Sequence, residues 1–130
     1  MTVQLNHTIV WCRDKQRSSD FLVRVLGCRP AVAFYNFMVV QLDNGVSLDF
    51  LEKDGAIDSQ HYAFLILESE FDAVFSRLRD EGVPYWADPA KSRPGETNHH
   101  DGGRGVYFED PDGHFLEVIT RTYGESRRRS

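Results

Sequence analysis

The sequence predicts an α+β fold built from two copies of a β-α-β-β-β module with mixed, largely antiparallel sheet. Two observations support this prediction: strand-like and helix-like segments follow each other in the same order in both halves, and equivalent residues recur at matching offsets. A chain of 130 residues is expected to form a single domain. We place the first module at about 1–56, the second at about 57–124 and a basic tail at 125–130.

The first module opens with a strand and a helix. Residues 5–12 alternate with a period of two, which gives a mostly apolar strand face that carries His7. Helical spacing follows from Asp14, and Gly27 is a typical residue to end that helix. Three short strands then follow, separated by turn-forming residues, and we predict them at 31–35, 37–42 and 46–51.

The second module repeats this order. A strand is predicted at 61–67, and Ser69 with Asp72 three residues later resembles a capping box that opens a helix. That helix ends near Gly82, and later strands are predicted at 105–109 and 114–121, joined by the tight turn of 110–113. The irregular stretch 87–104 is rich in Pro, Gly, Asp and Asn, and we interpret it as a functional lid.

The spacing of residues within the two modules also matches. His7 precedes the helix-ending glycine of its module by twenty residues, and His61 precedes the corresponding glycine by twenty-one. Near the end of each module a turn glycine is followed four residues later by an acid, which is Asp49 in the first module and Glu117 in the second. The two histidines are therefore expected to be equivalent in position, and so are the two acids.

Composition excludes several classes of function. Hydrophobic residues make up 41% of the chain and aromatic residues 12%, which is enough for a packed core. The net charge of −5 argues against a nucleic-acid surface, and no apolar run is long enough for a signal peptide or a membrane span. We expect a cytoplasmic protein that binds neither nucleic acid nor a membrane, with Cys12 and Cys28 as buried free thiols.

Three ionisable residues lie on predicted apolar strand faces: His7, His61 and Glu117. A single buried histidine is most often a hydrogen-bonded core residue, and an unpaired buried charge costs several kcal/mol. If equivalent strands of the two modules face one cavity, two imidazoles and a carboxylate meet there, and a divalent cation satisfies all three. The symmetric placement therefore favours a metal site.

Four segments resemble a known family: Leu5-Asn6-His7-Thr8-Ile9-Val10, Val25-Leu26-Gly27, His61-Tyr62-Ala63-Phe64 and the run from Gly105 to Glu117 that contains Asp110-Pro111-Asp112-Gly113. Through them nearly the whole chain resembles the vicinal oxygen chelate superfamily, which includes glyoxalase I, fosfomycin-resistance enzymes, bleomycin-binding proteins and extradiol dioxygenases. The resemblance implies paired modules that form a metal-binding cup, with His7, His61 and Glu117 as ligands of one divalent ion (Fe, Mn, Ni, Zn or Co). It also implies a small-molecule substrate and a homodimer.

The local pattern from Asn98-His99-His100 through Tyr107 to Glu117 is similar to that of extradiol ring-cleaving dioxygenases. This resemblance implies that His100 and Tyr107 hydrogen-bond the chelated substrate and an oxygen-derived intermediate. Such dioxygenases place a further acid–base histidine near the end of the first module, where this chain has Asp49. In a dioxygenase-like enzyme Asp49 is therefore the candidate base.

Three alternatives stay open on sequence grounds. In a glyoxalase I-like lyase or isomerase, Asp49 is a fourth metal ligand. In a metal-independent binding protein that sequesters an antibiotic, the ligand positions are usually degraded, so their retention favours an enzyme. A fosfomycin-type enzyme needs a cationic pocket, and the basic residues near the predicted lid, Lys91, Arg93 and Arg104, are few, although Arg104 is a candidate anchor for an anionic substrate.

Overall fold

The computed structural model describes residues 2–124, so the predicted basic tail at 125–130 lies outside the described residues. The chain divides into two units, Met1–Asp58 and Ser59–Ser130, and each is described by itself. No helix within residues 2–124 combines the length and the apolar character that crossing a membrane requires.

The first unit contains one helix and a four-stranded sheet. Its elements are β1 (His7–Cys12), α1 (Lys15–Leu26), β2 (Val32–Phe34), β3 (Phe37–Gln41) and β4 (Ser47–Glu52). The strand order is β1-β4-β3-β2, with β1 parallel to β4 and the other two pairs antiparallel. This is the predicted β-α-β-β-β order.

The second unit has the same topology. Its elements are β5 (His61–Leu65), α2 (Phe71–Asp80), β6 (Tyr85–Trp86), β7 (Gly105–Glu109) and β8 (Phe115–Ile119), with short 3-10 turns at Glu68–Glu70 and His100–Gly102. The order β5-β8-β7-β6 again combines one parallel pair with two antiparallel pairs. The predicted α+β class with two mixed sheets is confirmed, and the two-residue strand β6 is an addition that the sequence did not indicate.

Strand register confirms the equivalence of the two units residue by residue. In the parallel pair of the first unit, β1 begins at His7 and Ile9 lies opposite Asp49. In the second unit, β5 begins at His61 and Ala63 lies opposite Glu117. In each unit, therefore, the histidine is the first residue of its strand, and the residue two positions later lies opposite the acid.

Local chemistry explains where the first helix begins and ends. The Asp14 carboxylate accepts a hydrogen bond of 3.1 Å from the Arg17 backbone N–H, which caps the helix at its N-terminus. Gly27 has φ +74°, and its N–H donates to the Val23 carbonyl at 2.9 Å. This left-handed conformation favours glycine, so the predicted helix end at Gly27 is confirmed.

The start of the second helix differs from the prediction of a capping box at Ser69 and Asp72. The Leu67 N–H instead donates to the Glu70 carboxylate at 3.1 Å, and the chain passes through the 3-10 turn before α2 begins at Phe71. The capping residues thus lie two positions earlier than predicted. The physical reason is that Leu67 is the last extended residue, so its N–H is the one that needs an acceptor.

Buried apolar side chains of the helices and sheets form the core, including Val10, Phe21 and Phe50 in the first unit and Phe71 and Phe108 in the second. Cys12 is buried, as expected, and both cysteines are free thiols. The expectation of burial is wrong for Cys28, which is half-buried because it follows the helix end and not the apolar face of a strand.

The stretch 87–104 is anchored to the second sheet at several points. It pairs Trp86 with Pro94 and Asn98 with Gly105 through isolated β-bridges. Asn98 is buried, and its amide donates to the Ala87 carbonyl at 2.8 Å. Its role as a lid stays a prediction, although these contacts fix both its ends.

Candidate functional site

His61 and Glu117 lie side by side on neighbouring parallel strands of the second unit. His61 Nε2 is 3.2 Å from Glu117 Oε1. The imidazole is 48% exposed, whereas the carboxylate side chain is only 2% exposed. A nearly buried carboxylate thus points at a histidine that remains accessible from outside.

The hydrogen bond at the other nitrogen of His61 fixes the tautomer of the ring. His61 Nδ1 lies 2.9 Å from the Phe115 carbonyl oxygen, and a carbonyl can only accept, so Nδ1 carries a proton. In the neutral ring the Nε2 lone pair then faces a carboxylate oxygen. Two acceptors at this separation need a cation between them, either a proton or a metal. Imidazole nitrogen and carboxylate oxygen are ligands of divalent transition metals, so His61 and Glu117 fit the implied ion.

Two tyrosines complete the surroundings of the Glu117 carboxylate. The Tyr123 hydroxyl donates to Glu117 Oε2, and the Tyr107 hydroxyl lies 2.8 Å from the Tyr123 hydroxyl. Burial raises the pKa of Tyr107, and the neighbouring Glu117 carboxylate raises it further. Tyr107 is therefore a protonated hydrogen-bond donor at neutral pH.

Tyr123 is a site residue that sequence reasoning missed. It follows the last strand, outside the repeated module elements, so neither periodicity nor the repeat indicates it. His100, predicted as a catalytic residue, approaches the same group, because its ring centroid is 5.7 Å from that of Tyr123 in an edge-on arrangement. The second unit therefore brings the predicted residues His61, His100, Tyr107 and Glu117 into one neighbourhood.

The first unit contains the other two predicted site residues, His7 and Asp49, which both line a cavity of about 670 Å³. His7 Nδ1 is 2.7 Å from the Asn6 side-chain oxygen, which leaves Nε2 as the ring's free nitrogen. Asp49 accepts a hydrogen bond of 2.8 Å from the Ser47 hydroxyl. The two side chains come from the adjacent strands β1 and β4.

The wall of this cavity is apolar over most of its accessible area, although polar residues also line it. Apolar side chains come from Ile9, Pro30, Val32, Ala33, Phe34, Phe37 and Val39, and polar ones from Asn6, His7, Arg29, Gln41, Ser47 and Asp49. A largely apolar cavity of this size is typical of small-molecule sites.

Within residues 2–124 no group of three or more His, Cys, Asp or Glu side chains is close enough together to hold a metal ion. Of the predicted ligands, the second unit pairs His61 with Glu117, and His7 belongs to the first unit. The full three-ligand set therefore stays a prediction, as do the roles of Asp49, His100 and Tyr107.

The basic residues near the predicted lid are engaged by carboxylates. Arg104 donates to Glu68 and to Asp72 at 2.7 Å each. Arg93 pairs with Glu96 at 3.1 Å, and Lys91 pairs with Glu109. Arg104 thus ties β7 to the start of α2, which leaves little of its guanidinium for the substrate role weighed from the sequence.

The model of the Glyoxalase/Bleomycin resistance protein/Dioxygenase superfamily matches residues 4–118. A relative named "Metallothiol transferase FosB" from Shouchella clausii is 45% identical over 126 residues, covering 93% of this chain and 82% of its own. The solved structure named "Oxidase ChaP-H2" superposes with a TM-score of 0.93 at 57% identity, covering 95% of this chain and 98% of that one.

A fosfomycin resistance protein FosX from Listeria monocytogenes, solved with Mn(II) and sulfate, has a TM-score of 0.74 and covers 99% of this chain and 98% of its own. At 23% identity this likeness concerns the fold alone. At the level of the family, the expectation of a divalent metal cofactor is confirmed, with the identity of the ion left open. By the match over residues 4–118 and the identity to its relatives, the chain belongs to the Glyoxalase/Bleomycin resistance protein/Dioxygenase superfamily of metal-dependent enzymes.

Proposed function

We propose that this protein is a divalent-metal enzyme that oxidises a small molecule with molecular oxygen, in the manner of an extradiol dioxygenase. The observation that carries the proposal is the convergence of His61 Nε2 and Glu117 Oε1 at 3.2 Å, beside a pair of hydrogen-bonded tyrosines. The 57% identity to a protein named an oxidase supports oxygen as the co-substrate.

His61, Glu117 and His7 are the proposed ligands. Both histidines use Nδ1 for a hydrogen bond, to the Phe115 carbonyl and to the Asn6 amide oxygen, so each offers Nε2 to a metal. A divalent ion held by these residues would act as a Lewis acid that stabilises an anionic substrate oxygen. The homodimer implied by the resemblance is part of this proposal.

The chain's own residues bind the substrate and move its protons. Tyr107 is protonated at neutral pH because of its raised pKa, and in the free protein its one proton is directed to the Tyr123 hydroxyl. On substrate binding the Tyr107 hydroxyl turns from Tyr123 and donates to an anionic substrate oxygen instead. Asp49 lines the cavity and accepts the proton that a substrate hydroxyl releases. His100, next to Tyr123, is a further proposed hydrogen-bond partner of the substrate.

Metal content and oxygen uptake test the proposal directly. The protein is stripped with a chelator, reloaded anaerobically with Fe(II), Mn(II), Co(II), Ni(II) or Zn(II), and assayed in an oxygen electrode with catechol. We expect about one ion per chain and oxygen uptake that needs both the ion and the catechol. Ring cleavage places both atoms of O₂ in the product, whereas two-electron oxidation of the catechol to a quinone releases hydrogen peroxide.

A pair of histidine variants ties the activity to the site. His61→Ala is expected to abolish metal uptake and oxygen uptake together, because it removes the accessible member of the His61–Glu117 pair. His99→Ala, an exposed histidine outside this pair, is the matched control and keeps both. Unchanged metal stoichiometry in His61→Ala would remove that residue from the site and with it the proposed chemistry.

A second candidate function is transfer of a thiol to fosfomycin, favoured by the 45% identity to a metallothiol transferase. Against it, a phosphonate needs several free cations, and Lys91, Arg93 and Arg104 are each paired with carboxylates. The two functions separate in one experiment: formation of a thiol adduct of fosfomycin without oxygen uptake supports the transferase. Isomerisation of a hemithioacetal would instead support a glyoxalase-like enzyme.

A further inference from the structure

The volume and the lining residues of the first-unit cavity indicate the size and charge of the ligand that it binds. Its volume of about 670 Å³ falls within the range of roughly 300–1,000 Å³ that accommodates a drug-sized molecule. A single aromatic ring or a three-carbon phosphonate would leave most of this volume to water against apolar walls, which is unfavourable. The volume therefore favours a ligand of more than one ring.

The aromatic residues that line the cavity belong to the antiparallel strand pair β2–β3. Phe34 and Phe37 are directly opposite each other in this pair, and both line the cavity. Phe34 is 60% exposed and packs edge-to-face with Tyr35, so part of its ring is accessible to a ligand. Planar aromatic ligands stack on such rings, which adds to the free energy gained from burying apolar area.

His7 and Arg29, two ionisable residues of the cavity, lie toward opposite edges of the sheet. His7 and Asp49 come from β1 and β4, whereas Arg29 stands in the connection from α1 to the far edge strand β2. Three strand spacings separate β1 from β2, a distance of roughly 14 Å in a flat sheet. A ligand that reaches both ends is therefore elongated.

Arg29 is the one Lys or Arg side chain among the described residues that line this cavity. It makes no ion pair with the described part of the chain, in contrast to Arg93 and Arg104, which are held by carboxylates. A guanidinium presented at a cavity edge binds carboxylate, sulfonate or phenolate oxygens through two parallel N–H donors. Its position assigns an acidic group to the end of the ligand away from His7.

We propose that the cavity binds a planar ligand of two or more fused aromatic rings, with neighbouring oxygens directed to His7 and Asp49 and an acidic substituent directed to Arg29. That this ligand is the substrate rests on the proposed function. The binding preference itself depends on the first unit alone and needs no metal, so it can be measured on the stripped protein.

Three probes test the two parts of this proposal by calorimetric titration of the metal-stripped protein: catechol, 2,3-dihydroxynaphthalene and 2,3-dihydroxynaphthalene-6-sulfonate. Both naphthalenes are expected to bind at least about tenfold more tightly than catechol, since they bury more apolar area. Phe34→Ala should weaken both naphthalenes about fivefold by removing the stacking ring.

Arg29→Gln tests the acidic group. We expect it to weaken the sulfonate about three- to fivefold, in keeping with an exposed ion pair, and to change the neutral naphthalene less than twofold. Arg24→Gln removes an exposed arginine of α1 that does not line the cavity, and it should change neither probe. A sulfonate affinity that Arg29→Gln leaves unchanged, or catechol binding as tight as that of the naphthalenes, would overturn the proposal.

The outcomes also separate this proposal from the proposed function. If the naphthalenes bind tightly but the metal-loaded protein takes up no oxygen, the proposed ligand class is supported and the proposed oxidase function is contradicted. If catechol supports oxygen uptake but the naphthalenes bind no more tightly than catechol, the proposed oxidase function is supported and the proposed ligand class is contradicted.

Discussion

The two units share one topology and one strand register, yet they surround their equivalent acids differently. Glu117 is nearly buried and contacts His61 and Tyr123. Asp49, its counterpart, is half-buried and hydrogen-bonds Ser47 beside an open cavity. The same backbone arrangement therefore holds a buried acid against a histidine in the second unit and an accessible acid beside a cavity in the first.

The residues opposite the histidines account for part of this difference. His61 lies opposite Phe115, whose ring stacks on Tyr107, whereas His7 lies opposite Ser47, whose hydroxyl donates to Asp49. A bulky aromatic residue at this position helps to bury the second acid, and a small polar one leaves the first acid accessible. A buried carboxylate is held in one orientation, as a metal ligand requires, whereas an accessible carboxylate can accept a proton from a substrate.

The largest expected effect is that of Glu117→Gln. The amide keeps the shape of the side chain but loses the charge that attracts a cation, so metal affinity should fall at least about 100-fold and turnover should be lost. Glu109→Gln changes a half-buried glutamate on the neighbouring strand β7, which pairs with Lys91 and not with His61, and should leave both unchanged. Competition with a chromogenic chelator measures the affinity, and a wild-type value for Glu117→Gln would contradict the proposed ligand role.

Asp49→Asn tests whether the first unit supplies a base or a ligand. As a base, Asp49 contributes to the chemical step, so turnover should fall by roughly 10²–10⁴-fold while the metal content stays at the wild-type level. Asp43→Asn, in the exposed turn before β4, is the control. Loss of the metal from Asp49→Asn would instead identify a fourth ligand and favour the glyoxalase-like alternative.

A smaller effect is expected for Tyr123→Phe. Its hydroxyl holds the second oxygen of Glu117, and removing such a supporting hydrogen bond typically costs about tenfold in metal affinity. Tyr35→Phe, at a residue 86% exposed in the turn between β2 and β3, is the matched control. An affinity within twofold of wild type would show that Glu117 needs no such support.

The order of strands and helices could be predicted because period-two and helical patterns and turn glycines are local properties of the sequence. Repetition then indicated that His7 corresponds to His61 and Asp49 to Glu117, which strand register confirms. These features depend on backbone geometry, and backbone geometry follows from local residue choice.

The rest of the site depends on contacts that local patterns do not encode. Tyr123 reaches Glu117 only because the chain folds back after β8, and β6 is too short to show a period. The pairing of Arg104 with Glu68 and Asp72 spans more than thirty residues. Such partners are fixed by packing across the unit, so the sequence alone indicated Arg104 as a candidate anchor and did not indicate its carboxylates.

The smallest expected effects concern the glycines that follow the two helices, and they test the equivalence of the units in stability. Gly27 and Gly82 have φ values of +74° and +70°, so alanine at either position should cost about 1–2 kcal/mol of unfolding free energy. An added Cβ at Gly82 meets no atom within 4 Å, so its cost is backbone strain alone. Asparagine, which tolerates this conformation better, should cost less at both sites. Urea denaturation measures the difference, and a cost at only one of the two positions would show that the repeat is matched in topology but not in the energetics of its helix ends.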